Sequence, residues 1–284
     1  MKVLPFKIPK PQNEAVIYQV DKEQVFYDQL HQHAEIQISY IKEGSGMLLV
    51  GDTLSHFKNG DVFVIGSYLP HAFKSDTSTK ELSEMHTLFF DKNAFGETFF
   101  SLPDLTPAKT FFDKTIFGMQ VVNQTTSIKE YVTNLGSQNT VERLATLLLV
   151  ISLIAQSDTK PLSSFVYPKN YSENEGKRMN RVFDYAMSNY HNPIMLDTIA
   201  NLANMSKNAF CRYFKKRTNK TFIQFLIEIR IDKACKILAN NPEQPVSFIA
   251  EQCGFTNVAN FNRKFKLLKG CTPTQFRTSF KSSY

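Results

Sequence analysis

The sequence predicts a multidomain α+β protein: a β-barrel with a helical segment after it, then an all-α domain built on two helix-turn-helix units. Three observations carry this expectation. Residues 15–90 break into short apolar or alternating runs with turn residues between them. Leu144, Leu147, Leu148, Ile151 and Ile154 recur at three- and four-residue steps. The stretch from Ile194 to Phe280 repeats itself once.

The strands are expected at Ala15–Val20, Glu35–Ile41, Met47–Val50, Asp61–Ile65 and Met85–Phe90. Gly44-Ser45-Gly46, Gly51-Asp52, Asn59-Gly60-Asp61 and Leu69-Pro70 punctuate them. Many short strands at this spacing fit a sandwich or barrel. From about Leu102 to Gln156 the pattern turns helical. Thr126–Leu135 is expected as one helix that stops near Gly136. Asn139 or Thr140 caps the next, with Glu142 in its first turn. Leu149, Val150 and Leu153 widen the apolar stripe of that second helix beyond one face, which suits a helix either buried within the chain or, the favoured reading, shared with another chain. Ser157 to Gly176 is polar, with two prolines, and reads as a linker.

The repeat has an offset of 50 residues at Ile199-Ala200 and Ile249-Ala250, and of 51 from Phe210 and Phe261 onward. One supersecondary unit is therefore used twice. In the first copy, Asp197 or the residues just before it open a short helix, and Ser206 caps the next one. In that second helix Phe210 and Phe214 face the core at an i,i+4 interval. Lys207, Asn208, Cys211, Arg212 and Lys215 are left outside. In the second copy Asn257 caps the helix, Phe261 and Phe265 face inward, and Ala259, Asn260, Asn262, Arg263 and Lys266 remain. Two short helices with a tight turn make a helix-turn-helix. Amide and guanidinium groups on the outer face of its second helix suit a major groove. Thr221 caps a long helix, Phe222–Asn240, between the copies. Pro273 opens a last helix at its first position.

Charge divides the chain the same way. Residues 173–284 hold 18 Lys and Arg against 8 Asp and Glu, a net of +10, which leaves −3 for residues 1–172. One half is suited to a polyanion and the other is not. The four cysteines, Cys211, Cys235, Cys253 and Cys271, have no CxxC spacing, so neither a zinc finger nor a disulfide framework fits. The start has no apolar core of signal-peptide length. The run from Leu144 to Ala155 is too short to span a bilayer. A cytoplasmic protein with reduced thiols and no membrane partner is expected.

In the N-terminal half, His31, His33 and Gln37 would share one face of a strand. Gly44, Gly60 and His71 follow them. These residues resemble the cupin pattern of HxH, Glu and Gly, then a second Gly with a His eleven residues later. The chain departs from it at Gln37, where the pattern has Glu, and at Gly66 and Tyr68, which replace a Pro and a Gly. Three imidazoles and an amide suit a divalent transition metal. Losing the carboxylate weakens such a site, which favours a metal-free use of the same side chains: with Glu35 and nearby Tyr40 and Tyr68 they would line a pocket for a small polar effector such as a sugar, or fill the barrel. No cofactor is required on this reading.

Ile199-Ala200, Ser206, Phe210-x-Arg212-x-Phe214-Lys215, Arg230-Ile231-x-x-Ala234, Ile249-Ala250-x-x-x-Gly254-Phe255, Phe261-x-Arg263-x-Phe265-Lys266, Thr272-Pro273 and Phe276-Arg277 resemble the DNA-binding domain of the AraC/XylS family of transcription regulators. About 100 residues carry this resemblance, and the order of a cupin-like domain before the DNA-binding domain extends it to nearly the whole chain. It implies residues 1–100 as the cupin-like effector domain, 101–157 as a helical dimerisation segment, 158–176 as the linker and 177–284 as the DNA-binding domain. Lys207, Asn208, Cys211, Arg212, Lys215, Ala259, Asn260, Asn262, Arg263 and Lys266 are the expected DNA contacts, and His31, His33, Glu35, Gln37 and His71 the expected effector pocket. The implied partners are duplex DNA, a small effector, RNA polymerase and a second copy of the chain. The implied function is a regulator, activating rather than repressing, and not an enzyme. The rival reading is a metal-dependent cupin enzyme with an appended DNA-binding domain.

Overall fold

The computed structural model describes residues 14–76, 82–164, 173–241 and 243–281. The chain forms two compact units, residues 1–177 and 178–284.

In the first unit, β1 (Val16–Glu23), β2 (Ile36–Glu43), β5 (Val62–Ile65), β7 (Ser83–Phe90), β8 (Met119–Val121) and β9 (Thr159–Pro161) form a sheet in the order β1-β7-β2-β5-β8-β9. A second sheet has the order β4-β3-β6, from β4 (Thr53–Phe57), β3 (Gly46–Val50) and β6 (His71–Ser75). Side chains alternate along each strand, so each face has its own neighbours. Ile41, Phe63, Ile65 and Met85 of the first sheet cluster with Leu48, Val50, Phe57 and Phe73 of the second. Ile36, Ile38, Leu88 and Phe90 cluster instead with α1 (Ala108–Thr115), α2 (Thr125–Asn134) and α3 (Thr140–Gln156).

The expected strands are present, with ends shifted by up to three residues. The short β4, β6, β8 and β9, and helix α1, are additions. Two expectations need correction. The segment taken as uniformly helical contains β8, which pairs with β5. The start of the expected linker is folded: β9 pairs with β8, and Leu162 and Ser163 are buried. The expectations for residues 165–172 lie outside the described residues.

Asn139 caps α3 with a reciprocal capping box to Glu142. One face of α3 buries Leu147, Val150, Ile151 and Ile154. The other exposes Val141 and Leu149, at 75% and 48%.

The second unit comprises α4 (Glu173–Asn189), which begins in the last residues of the first, α5 (Leu196–Leu202), α6 (Lys207–Thr218), α7 (Phe222–Asn240), α8 (Val246–Gln252), α9 (Val258–Lys269) and α10 (Pro273–Lys281). Without tryptophan, phenylalanine fills both cores. Phe183, Phe210, Phe214, Phe222 and Phe225 meet ring to ring in the first half, and Phe255, Phe261, Phe265 and Phe276 in the second. Among the described residues, no helix is long and apolar enough to cross a membrane.

Candidate functional site

The two helix-turn-helix units present their second helices alike. Phe210 and Phe214 of α6, and Phe261 and Phe265 of α9, are fully buried. That burial fixes the rotation of each helix, so Lys207, Asn208, Cys211, Arg212 and Lys215 are exposed on α6. Ala259, Asn260, Asn262, Arg263 and Lys266 are exposed on α9. Ser206 and Asn257 cap the two helices by accepting from the backbone N–H three residues on.

The heads nevertheless differ. The turn closes with Met205 N–H donating to the Ala200 carbonyl in the first and Phe255 N–H to the Ala250 carbonyl in the second, both at 2.9 Å. The offset there is still 50, so the extra residue of the second turn enters after Phe255. Lys207 is ion-paired to Asp197 at 3.1 Å, while Arg263 donates to the Asn260 side chain at 3.0 Å. Cys211 is exposed on α6; Cys235 and Cys253 are buried, and burial pushes both of those thiols up to about 12.

In the first unit, His31, His33 and His71 bring their ligand atoms within 4.8 Å of one another. The route there differs from the expected one. β2 starts only at Ile36, and His31 is instead tied to His71 by a pair of backbone hydrogen bonds of 3.0 and 2.9 Å. The Nδ1 atoms of His31, His33 and His71 lie 2.8, 2.9 and 2.8 Å from the carbonyls of Gln29, Glu35 and Leu69. A carbonyl only accepts, so each neutral ring carries its hydrogen on Nδ1 and leaves a lone pair on Nε2. Burial first, then neighbouring His33, lowers the His31 imidazole to about 4; part of the residue reaches solvent, but its ring lies among Tyr27, His33 and His71. Burial holds His71 well below the ordinary imidazole range too.

Gln37 Oε1 stands 3.1 Å from His33 Nε2 and 3.0 Å from His71 Nε2, and its amide nitrogen donates to Ser39 Oγ at 2.8 Å. In this orientation acceptor lone pairs converge with no hydrogen between them, which is the arrangement a cation completes. Donor atoms around a zinc-sized ion, at about 2.0–2.2 Å from it, stand about 3 to 4 Å apart, so the set fits such an ion after small shifts. The amide turned over would donate its two hydrogens to the same two rings, a metal-free arrangement.

Glu35 is buried, but its carboxylate lies 3.8 Å from His33 Nδ1, behind the ring rather than among the converging atoms. Tyr40 faces the helices, beside His86 and under Lys129, and does not line the cluster. The Tyr68 backbone N–H donates to the His33 carbonyl at 2.7 Å. Sequence reasoning missed Ser39 and Thr87, which continue the polar row from Gln37 at 2.8 and 3.1 Å. Their place on the same strand face was the available signal for Ser39.

The AraC-like ligand binding domain family matches residues 13–135, and a helix-turn-helix domain family matches residues 199–279. An uncharacterized HTH-type transcriptional regulator of Bacillus subtilis, YdeC, is 24% identical over 268 residues, covering 88% of this chain and 86% of that protein. The HTH-type transcriptional activator RhaR of Mannheimia succiniciproducens is 23% identical over 261 residues, covering 88% and 87%. Among solved structures, the DNA-binding domain of AdpA in complex with a target DNA is 27% identical and covers 36% of this chain and 90% of that one, with a TM-score of 0.34.

Proposed function

We propose, for a chain that belongs to the AraC family of transcriptional regulators, that it activates transcription as a homodimer when a ligand occupies the His31–His33–Gln37–His71 cluster. The protein is a DNA-binding regulator with a sensing domain. The single observation that carries the DNA side is the pair of exposed faces, Asn208–Arg212 and Asn260–Arg263, each fixed by a buried Phe pair behind it. The basic residues beside them take phosphates, and the amide and guanidinium groups take base edges.

The ligand class that the converging Nε2 atoms suit is a divalent transition metal of the imidazole-preferring kind. The donor set lacks a carboxylate, so a bound ion would keep its full charge at the cluster. A small polar molecule at the same cluster, with the Gln37 amide turned over, is the second reading. On both readings the chain acts in the cytoplasm by binding rather than by catalysis. Activation is supported by the likeness to the Mannheimia transcriptional activator, and contact with RNA polymerase is the route we propose for it.

The test is DNA binding by the full chain against salt. Each phosphate contact releases counterions, so affinity for fragments upstream of its own gene should fall steeply, by roughly a thousandfold between 50 and 200 mM salt for about six contacts. Binding that ignores salt, or no binding to any duplex, overturns the regulator reading.

A further inference from the structure

The turn between β3 and β4 carries a buried carboxylate that does not serve the hairpin alone. Asp52 Oδ1 accepts from the Ser163 hydroxyl at 2.9 Å and from the Ser164 backbone N–H at 3.0 Å. Its Oδ2 accepts from the Ser164 hydroxyl at 2.6 Å. A carboxylate buried to 5% exposure and satisfied by two consecutive serines is a specific clamp. What it clamps is the stretch that leads out of the sensing unit toward the DNA-binding unit.

The clamp is joined to the ligand cluster through Leu69, Pro70 and His71. The His71 ring donates to the Leu69 carbonyl, and the Leu69 side chain shares a buried cluster with Leu162. The Pro70 carbonyl accepts from Gly51 N–H at 2.8 Å, one residue before Asp52. Val50 pairs with His71 in the sheet. Leu162 N–H in turn donates to the Gly118 carbonyl at 3.2 Å. Two contiguous routes, one of side-chain packing and one of backbone hydrogen bonds, therefore connect His71 to the 162–164 stretch.

We propose that Asp52 is a positioning residue that latches Leu162–Ser164 to the ligand cluster, so that occupancy at His71 is transmitted to the start of the connection between the units. This rests on the reading of the chain as a ligand-responsive regulator. Pinning His71 from its Nε2 side steadies residues 69–71, and with them both routes to the latch.

Amide hydrogen exchange on the full chain tests it, with zinc and a chelator as the two conditions. In the wild type, zinc slows exchange over residues 159–164 by at least about tenfold, a coupling of ordinary size. Asp52→Ala makes that exchange fast and indifferent to zinc while zinc is still retained, and the zinc dependence of DNA affinity is lost with it. Asp52→Asn, whose amide oxygen still accepts from the serines, keeps most of the effect. A second arm needs no metal: His71→Gln quickens exchange over 159–164 by at least about tenfold in the chelated protein. Exchange there that ignores both zinc and His71→Gln overturns the latch. So does an Asp52→Ala chain that melts earlier yet keeps the full zinc effect, since that marks a purely structural contact. Intact coupling in a chain that binds no DNA overturns the regulator reading instead.

Discussion

Arg230 Nε donates to the Tyr190 carbonyl at 2.7 Å, tying the middle of α7 to the end of α4. Its Nη2 reaches the Asn192 carbonyl at 2.9 Å, and its guanidinium lies over the Phe255 ring. The Tyr190 carbonyl, with that of His191, also crowds Gly254, where an added Cβ would stand 2.7 Å from Tyr190 O at a φ of +80°. One arginine and one glycine thus hold the turn of the second head against the entry to the first.

Removing either side of this junction should loosen the DNA-binding unit. Arg230→Ala leaves two carbonyls without their donor and should cost about 2 kcal/mol. Gly254→Ala combines a left-handed backbone with a clash against main chain and should cost about 2–4 kcal/mol. Urea denaturation measures both; a Gly254→Ala chain as stable as the wild type would contradict the crowding.

A metal held at the proposed cluster should be lost in a definite pattern. Protein stripped with chelator and given cobalt or zinc should keep about one ion per chain, and His33→Ala or His71→Ala should keep none, as loss of a ligand demands. Gln37→Glu places a charge among three imidazoles and should tighten retention by at least about tenfold, on the scale single site partners command. Elemental analysis after dialysis reads the stoichiometry, and cobalt absorption reads the ligand field.

Acid stability should depend on Glu84. Lys42 and then His86 hold its carboxyl down to about 2, from a usual 4.5, through bonds of 2.8 and 2.9 Å. A depressed carboxyl stabilises the fold above its unfolded value, and that contribution disappears as pH falls from about 4.5 toward 2. Lys42 is largely solvated, which screens the effect to about 1–2 kcal/mol. Glu84→Gln should lower stability at pH 6 and flatten its decline between pH 5 and 3, as followed by denaturant midpoints.

The DNA-binding half was legible because each helix carries its own local marks. Thr221 and Gln224 form a capping box, Asn257 and Ser206 cap their helices, and the Phe pairs set the inward face. The sensing half was legible only in part. β8 and β9 have three residues each and exist through pairing with distant partners, which leaves no local period to find. His31 meets His71 through an isolated bridge rather than along a strand. Tyr40 stands an odd number of residues from Gln37 and so faces the helices, which the two-residue period could have told. Asp52 reads in the sequence as turn punctuation, because its serine partners lie more than a hundred residues away.

The outer face of α3 should hold the dimer. Val141 and Leu149 are exposed on a helix whose other face is fully buried. Val141→Glu with Leu149→Glu should leave the sensing unit folded, since neither side chain enters its core, and shift the chain to monomer in sedimentation. Affinity for a site with two monomer-binding halves should fall at least about tenfold with it, because the second unit loses its effective concentration.

The two reading heads should fail separately. Arg212 lies exposed on α6, while Arg263 is held by Asn260 on α9, behind a turn one residue longer. Unequal heads read unequal sequences, so each monomer should protect an asymmetric site. Arg212→Ala should weaken one half of that footprint and Arg263→Ala the other, each by about 1–3 kcal/mol if the guanidinium reaches a base edge. Lys215→Ala or Lys266→Ala should weaken every sequence alike and lower the salt slope by about one contact. Footprinting the four variants on one fragment decides the matter. Arg212→Ala and Arg263→Ala footprints that change at the same bases would mean that the two helices do not enter separate grooves.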